Sequence, residues 1–420
     1  MSKVVIVGQG YVGLPLAVAA ARAGHTVIGY DVDTARIKQL DAGESYVEDI
    51  SSETLNEIMA SGHYRPSSDQ SDLRGFDIAV ITVPTPLREG SPDLSYIEAS
   101  ATTLARYLRS RATVVLESTT YPGTTEELLG PMLEDVSGLA PGRDFYLGYS
   151  PERIDPGNKT WDLTRTPKVV SGVDEESLKV VREFYDELVS VTVPVSSTRV
   201  AELVKLIENT FRHVNIALVN ELAMYARTLG IDIWEAVDAA ASKPFGFMPF
   251  TPGPGVGGHC LPIDPVYLSW RVQRSVGRLF RFVELANHIN SHMPQYVVQR
   301  LVTGLNARRR TVNGSRILLL GLAYKPNTGD ARESPALRIA QLLLEMGGEL
   351  TVVDPHVVEP VEIDERTERV EFSAAELAAA DAVLVVTDHD EFDYEMVAEH
   401  SRYVLDCRNR VPEGPNVEVL

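Results

Sequence analysis

Cysteine and lysine are scarce. The 420 residues hold two cysteines, Cys260 and Cys407, and eight lysines against thirty-one arginines. Two cysteines do not make a disulfide scaffold, and a reducing cytoplasm is the simplest setting for such a chain. The lysine deficit is read as genome composition, and it makes each remaining lysine worth inspecting. Positive charge is short overall: 39 basic residues face 59 acidic ones, a net charge of -20. Nucleic-acid binding needs clustered Lys and Arg, so no nucleic-acid partner is expected; a small anionic ligand needs only a few local donors. No apolar run approaches the roughly 20 residues of a membrane helix. The start, Met1-Ser2-Lys3, runs into a short strand and Gly8 without a signal-peptide core, so no membrane partner is expected either. What is present, 44% apolar residues, is ordinary for two or three globular domains.

Val4-Val5-Ile6-Val7 has the continuous apolar character of a buried parallel strand. Gly8-Gln9-Gly10-Tyr11-Val12-Gly13 follows, then an alanine-rich helix to about Ala23, Gly24, and a second strand over 26–30 ending at Asp31. This order predicts a dinucleotide-binding βαβ unit. Gly8 makes the turn, Gly10 lets the backbone approach a pyrophosphate, and Gly13 lets helix and strand pack closely. Asp31 can accept from a ribose 2′-hydroxyl and would repel a 2′-phosphate, which favours NAD over NADP. The bland alternative is a βαβ unit without a ligand. Later strands over 77–83, 113–117 and 145–149 end in Pro84-Thr85-Pro86, in Ser118-Thr119-Thr120-Tyr121-Pro122-Gly123 and in Ser150-Pro151-Glu152-Arg153. Ligands of open α/β sheets lie beyond the carboxyl ends of the strands. Tyr11, Val12, Arg36, Pro84 and Thr85 therefore join the glycines and Asp31 as candidate cofactor contacts. Glu152 is a candidate base, although a lone acid in such a loop more often serves a turn or cap.

The stretch from Thr251 to Pro265 packs four glycines and four prolines around Cys260 and Asp264, with His259 adjacent. Glycine permits unusual backbone angles and proline fixes its own, so the loop is shaped rather than slack. Thiolate is the reactive form of cysteine, and nearby N–H groups or cations lower its pKa. Cys260 is thus a candidate covalent nucleophile; a buried cysteine in a tight turn is the competing reading. Upstream, residues 199–229 contain neither proline nor glycine and predict a helix of roughly 45 Å. Ser196, Ser197 and Thr198 are cap candidates, and Gly230 ends the run. Val200, Leu203, Val204, Ile207, Phe211, Val214 and Leu218 make an apolar face suited to a dimer contact. Lys205, Asn209 and Arg212 project together. An ammonium and an amide one turn apart suit a developing oxyanion, though solvation is the common fate of such residues.

Arg308 to Gly314 reads as a basic, polar linker. Strands over 316–321, 350–354, 382–387 and 403–406 and a helix over 334–346 then mirror the first domain, including an acid, Asp354, after the second strand. Gly321-Leu322-Ala323-Tyr324-Lys325 replaces the glycine fingerprint, which fits altered phosphate chemistry. Lys325, Arg332 and Arg408 are candidate partners of anionic groups, the lysine as a point charge and the arginines as planar forks. The expected fold is α/β: two Rossmann-like doubly wound domains, residues 1–197 and 308–420, joined by a helical middle domain, residues 198–307, with one long central helix.

Six stretches occur in one order: Gly8 to Gly13, Glu117 to Gly123, Ser150 to Asn158, Glu202 to Asn209, Gly253 to Pro265 and Gly321 to Pro335. Together they resemble the UDP-glucose/GDP-mannose dehydrogenase family over nearly the whole chain. The resemblance implies oxidation of the C6 hydroxyl of a nucleotide sugar to a carboxylate with reduction of two NAD. By it, Cys260 would hold C6 as a thiohemiacetal and then a thioester, and Lys205 and Asn209 would steady the oxyanion. Asp264 would lie near the water, Glu152 would be the base, and Thr119 would lie close to the nicotinamide. Arg153, Gly257, Lys325 and Arg408 would join Glu152, Lys205 and Asn209 at the sugar nucleotide, and Arg332 would meet the NAD phosphates. The resemblance further implies a homodimer through the central helix and no metal.

Tyr149 to Asn158, taken with Gly255 to Cys260, is similar to the branch acting on UDP-N-acetylglucosamine or UDP-N-acetylmannosamine. UDP-glucose or dTDP-glucose is the alternative. A two-electron β-hydroxyacid dehydrogenase, which would not need Cys260, and a non-catalytic nucleotide-sugar sensor are the competing functions.

Overall fold

A computed structural model describes the chain except for residues 48, 155–159, 259–260, 359–362 and 365. Cys260, its neighbour His259 and the 155–158 end of the run after Glu152 lie outside the described residues. The chain divides into two compact units, Met1–Glu208 with Val266–Arg278, and Asn209–Pro265 with Leu279–Leu420.

The first unit is organised on one sheet. Its strands are β1 (Lys3–Val7), β2 (Thr26–Tyr30), β3 (Tyr64–Ser67), β4 (Ile78–Ile81), β5 (Thr113–Leu116), β6 (Tyr146–Tyr149), β7 (Lys168–Gly172) and β8 (Thr192–Pro194). They lie in the order β8-β7-β6-β5-β4-β1-β2-β3, parallel except for the antiparallel pair β6 and β7. The portion 3-2-1-4-5-6 is the doubly wound arrangement, whose crevice opens beyond the strand ends where the order reverses. Helix α1 (Gly13–Arg22) packs Leu14, Leu16, Ala17 and Val18 into the core beside β1. Residues 82 and 83, expected in a strand, lie past the end of β4. The Thr82 hydroxyl contacts the carbonyls of Val7 and Gly8, both at 2.9 Å, and braces the glycine turn instead. Helix α2 (Glu175–Asp186) follows β7 and is capped by the Asp174 carboxylate on the Ser177 N–H.

Helix α3 (Thr198–Thr228) is 31 residues long and runs from the first unit into the second at Asn209. Its start is held by the Ser197 hydroxyl on the Val200 N–H, and Gly230, at φ +70°, follows its end. The buried side of α3 is rich in polar groups: Glu202, Lys205, Asn209, His213 and Asn220 are all buried. Val200, Ile207, Phe211 and Leu218 of the apolar face are exposed, as are Leu222 and Tyr225. Arg212 does not share the setting of Lys205 and Asn209; it is exposed, which spares a guanidinium the cost of burial.

The second unit continues with α4 (Asp264–Val276), which belongs to it only through Asp264 and Pro265, and α5 (Arg281–Ala307). A second sheet follows: β9 (Arg316–Leu320), β10 (Glu349–Val353), β11 (Glu368–Arg369), β12 (Ala382–Val385), β13 (Val404–Asp406) and β14 (Val417–Val419), with α6 (Pro335–Glu345) after β9. All its neighbours are parallel, in the order β11-β10-β9-β12-β13-β14, the same winding as the first sheet. Ile317 and Leu319 of β9 share one core with Ile339 and Leu343 of α6 and with Leu301 and Leu305 of α5, which closes one face of this sheet. Among the described residues, no helix is long and apolar enough to cross a membrane.

Candidate active site

The first unit carries a dinucleotide cradle. Gly8 sits at φ +93°, which favours glycine. A Cβ on Gly13 would lie 1.8 Å from the Gly8 carbonyl oxygen, so only glycine lets α1 approach β1 here. Nothing lies within 4 Å of a Cβ built on Gly10, which leaves open space where a pyrophosphate would approach the backbone. Asp31, at the end of β2, accepts from the Gln9 N–H at 2.8 Å and the Asp33 N–H at 2.9 Å. Its outer side meets the partly exposed Arg36 guanidinium at 3.1 Å. Tyr11 is exposed, Val12 half-buried, and both stand at the opening of α1. The residues therefore fit NAD: glycine backbone and a helix N-terminus for the phosphates, and a carboxylate for the adenosine ribose. Pro84 and Thr85 lie just past β4, where the Thr85 carbonyl accepts from the buried Tyr267 hydroxyl at 3.0 Å.

Thr119 stands in the loop after β5, and α3 holds that loop. The Glu202 carboxylate accepts from the Gly123 N–H at 2.6 Å, the Thr125 N–H at 2.8 Å and the Thr125 hydroxyl at 2.7 Å. Burial pushes the Glu202 carboxyl up to about 7 against the pull of these donors. One helical turn on, the Lys205 ammonium donates to the Glu152 carbonyl at 2.6 Å.

Glu152 is not free. One carboxylate oxygen accepts from the Arg153 and Ile154 N–H groups, both at 2.6 Å, and the other meets the Lys168 ammonium at 3.0 Å. Lys168 also pairs with Glu117 at the end of β5, and the Tyr185 hydroxyl donates to Glu117 at 2.7 Å. All four side chains are buried. Burial raises Glu117, and Lys168 offsets this only in part. Burial acts on Glu152 in the same sense, but Lys168, Glu117 and Lys205 together hold it below the usual carboxylate range. The candidate substrate contact Arg153 is likewise engaged, with Glu208 at 2.6 Å and the Pro167 carbonyl at 2.7 Å.

In the second unit, the buried Asn209 amide donates to Asp264 at 2.5 Å. The described part of the Gly/Pro loop before residue 259 is pinned at two points. The Gly253 N–H donates to the Asn220 amide oxygen at 2.9 Å, and the Gly258 N–H donates to the Arg332 carbonyl at 3.0 Å. Cβ atoms on Gly257 and Gly258 would meet Tyr324 at 2.7 Å. The Arg408 guanidinium lies beside Gly253, 2.9 Å from where a Cβ would be, and donates to the Val386 carbonyl. Lys325 is half-buried after β9, and Arg332 forms a fork with Asp330 at 2.6 Å.

Asp354 has the chain position of Asp31 but is more fully enclosed. It takes N–H donors from Leu322, Ala323, His356 and Val357 and the His389 ring at 3.0 Å. Burial would raise its pKa, yet His389 and the backbone donors carry it well below the usual range. His389 accepts the Asn327 N–H at its other nitrogen, so both ring nitrogens are engaged. Cys407 is fully buried, and burial pushes its thiol up to about 12.

Sequence reasoning brings forward Lys205, Asn209, Asp264, Glu152 and Arg408 but passes over Lys168, Tyr185 and Asn220. Lysine scarcity is the available signal for Lys168. Nothing local marks Tyr185 or Asn220 as partners of residues dozens of positions away.

A doubly wound dinucleotide domain that hands its chain to a helix with a buried ammonium and amide is an arrangement that suits an oxidoreductase. Sequence models of one family match three successive regions: its NAD binding domain over 2–189, its central domain over 199–292 and its UDP binding domain over 318–413. The chain belongs to the UDP-glucose/GDP-mannose dehydrogenase family. It is 35% identical over 419 residues to a UDP-N-acetyl-D-mannosamine dehydrogenase of Pyrococcus horikoshii, covering 98% of this chain and 97% of that one. A solved structure of the UDP-D-ManNAc dehydrogenase from that organism matches with a TM-score of 0.90 at 33% identity, covering 99% and 98%. A UDP-N-acetyl-D-glucosamine 6-dehydrogenase of Pseudomonas aeruginosa is 40% identical over 357 residues, 84% of this chain and 83% of the other. The structure of a UDP-glucose dehydrogenase from Pyrobaculum islandicum matches with a TM-score of 0.88 at 30% identity, covering 100% and 96%.

Proposed function

We propose that the protein oxidises the C6 hydroxyl of UDP-N-acetylglucosamine or UDP-N-acetylmannosamine to the carboxylate through a covalent adduct on Cys260. The observation that carries this reading is the buried pair Lys205 and Asn209, one turn apart on α3, with Asn209 on Asp264 and Asp264 four residues after Cys260. Cys260 adds as thiolate to the C6 aldehyde and gives a thiohemiacetal, whose oxidation gives a thioester that water hydrolyses. Lys205 and Asn209 stabilise the oxyanion of each tetrahedral species. Asp264 orients the water, and Thr119 lines the nicotinamide side. NAD, held by the glycines, Asp31 and Arg36, supplies the hydride acceptor for both oxidations. The balance is one primary alcohol, one water and two NAD in; one carboxylate, two NADH and three protons out.

Within this reading Gly257, Lys325, Arg408 and Arg153 serve the sugar nucleotide and Arg332 the NAD phosphates. The domains divide at 197/198 and 307/308, and the low cysteine count supports a cytoplasmic setting. The similarity to N-acetylhexosamine enzymes supports the substrate, while the match to a UDP-glucose dehydrogenase structure supports UDP-glucose as the alternative.

NADH released per sugar nucleotide consumed tests the proposal, run on UDP-N-acetylglucosamine, UDP-N-acetylmannosamine, UDP-glucose and dTDP-glucose. Two NADH on one of the first two is expected. One NADH would eliminate the thioester route, and none on any would favour a sensor. The exposed apolar residues Phe211, Leu218, Leu222 and Tyr225 of α3, with Phe282 and Leu285 at the start of α5, support a homodimer through this face. Sedimentation equilibrium is expected to give twice the chain mass, and Leu222→Glu a single-chain mass. A monomeric wild type would end the dimer proposal.

A further inference from the structure

We propose that Glu117, Lys168 and Tyr185 are positioning residues for the oxidation: they hold Glu152 as a fixed anion whose main-chain carbonyl, rather than its carboxylate, serves the reaction by aiming Lys205. The inference rests on the reading of Lys205 as an oxyanion donor and departs from the role of free base expected for Glu152.

The cluster is enclosed by four elements. The end of β5 supplies Glu117, the start of β7 supplies Lys168, α2 supplies Tyr185 and α3 supplies Lys205. Lys168 stands between the two carboxylates and 5.4 Å from the Tyr185 ring centroid. The two N–H groups on one Glu152 oxygen and the ammonium on the other fix the carboxylate plane. That plane sets the peptide whose carbonyl receives the Lys205 ammonium at 2.6 Å. Arg153, the next residue, is tied to Glu208, about one turn beyond Lys205 on the same helix, which limits rotation of the strand-end loop against α3. These are the charged and titratable groups facing Glu152 from the elements packed around it among the described residues.

A carboxylate in this setting is a poor base at neutral pH, because its donors favour the ionised form and oppose taking a proton. Held ionised, it is a good anchor. The second carboxyl, Glu117, is raised by burial, and the Lys168 ammonium stands between it and Glu152. Tyr185 keeps Glu117 oriented.

Without the Lys168 charge, burial dominates at Glu152, its pKa rises, and it takes a proton as pH falls. A protonated Glu152 no longer attracts both N–H groups, the peptide turns, and Lys205 is misdirected. Lys168→Met is therefore expected to lower kcat at pH 7 by about tenfold with KM for NAD within threefold of wild type. It is also expected to move the acid limb of the kcat profile at least one pH unit upward, so that activity recovers towards pH 9. Lys168→Arg should restore most of the rate and the wild-type limb. Glu117→Gln, which removes one of the two anions beside Lys168 and keeps an acceptor for Tyr185, should lower kcat by less than Lys168→Met does and leave the acid limb unmoved.

A folded Lys168→Met enzyme with an unmoved acid limb would overturn the proposal. Should Lys168→Met not fold, Lys168→Arg and Glu117→Gln decide it: a Glu117→Gln loss as large as that of Glu152→Gln would overturn it. Glu152→Gln removes the anion beside Lys168, and a pH-independent fall in kcat is expected. Wild-type activity of Glu152→Gln would remove Glu152 from the reaction altogether. Loss of kcat in Lys205→Met, with an unmoved Lys168→Met profile, would leave the oxyanion reading standing and sink only the anchor.

Discussion

Cys260→Ser is expected to lower the rate of carboxylate formation by more than about a thousandfold, as expected when a covalent nucleophile is removed. Serine keeps the size of the residue, and the stretch before it is pinned through Gly253 to Asn220 and through Gly258 to Arg332. What changes is chemistry. A hydroxyl is almost entirely un-ionised at neutral pH, and an ester formed on it resists hydrolysis more than a thioester does. A slowly turning ester adduct, visible as added sugar-nucleotide mass on the intact protein, is the expected residue of activity. Cys407 cannot substitute, being fully buried with its thiol raised to about 12. Unchanged NAD binding and melting temperature would show that the loss is not unfolding. Wild-type rates in this variant would sink the covalent scheme.

Asp31→Ala is expected to reduce the ratio of kcat/KM for NAD over NADP by about a hundredfold, from the loss of a charge-assisted hydrogen bond to the ribose and of repulsion toward a 2′-phosphate. The same change releases Arg36, now paired with Asp31 at 3.1 Å, whose fork then suits a phosphate. Asp31 also receives the Gln9 N–H of the glycine turn, so some general weakening should accompany the switch. Asp31→Asn keeps an acceptor for that turn while removing the charge, and should show the specificity change with less loss of NAD binding. Measuring both cofactors on both variants decides it; an unaltered ratio would remove the ribose argument.

The legibility of the chain depends on distance. Gly8 to Gly13 and Asp31 are readable because each sits within one βαβ unit, where turn, helix start and strand end follow directly from residue type. The second doubly wound sheet is readable from its apolar runs. Helix α3 is readable within a residue at each end, because a run without proline or glycine closes at Gly230. Its surroundings are not: periodicity finds an apolar stripe but does not say that Phe211 and Leu218 face outward while Lys205 and Asn209 are buried. The Glu152 carboxylate looks available in sequence, and only its contacts with Lys168 and two N–H groups show it engaged.

By itself the sequence determined the two Rossmann-like domains, the long helix between them, the NAD fingerprint and the family. These rest on local patterns whose physical cause lies within a few tens of residues. Tertiary structure decided which charges are paired. Glu117, Lys168 and Tyr185 come from three separate elements and meet only because β5, β6 and β7 are neighbours in the sheet with α2 against them. A buried ion takes its protonation state from partners brought by folding, and that information is not carried by any stretch of sequence alone.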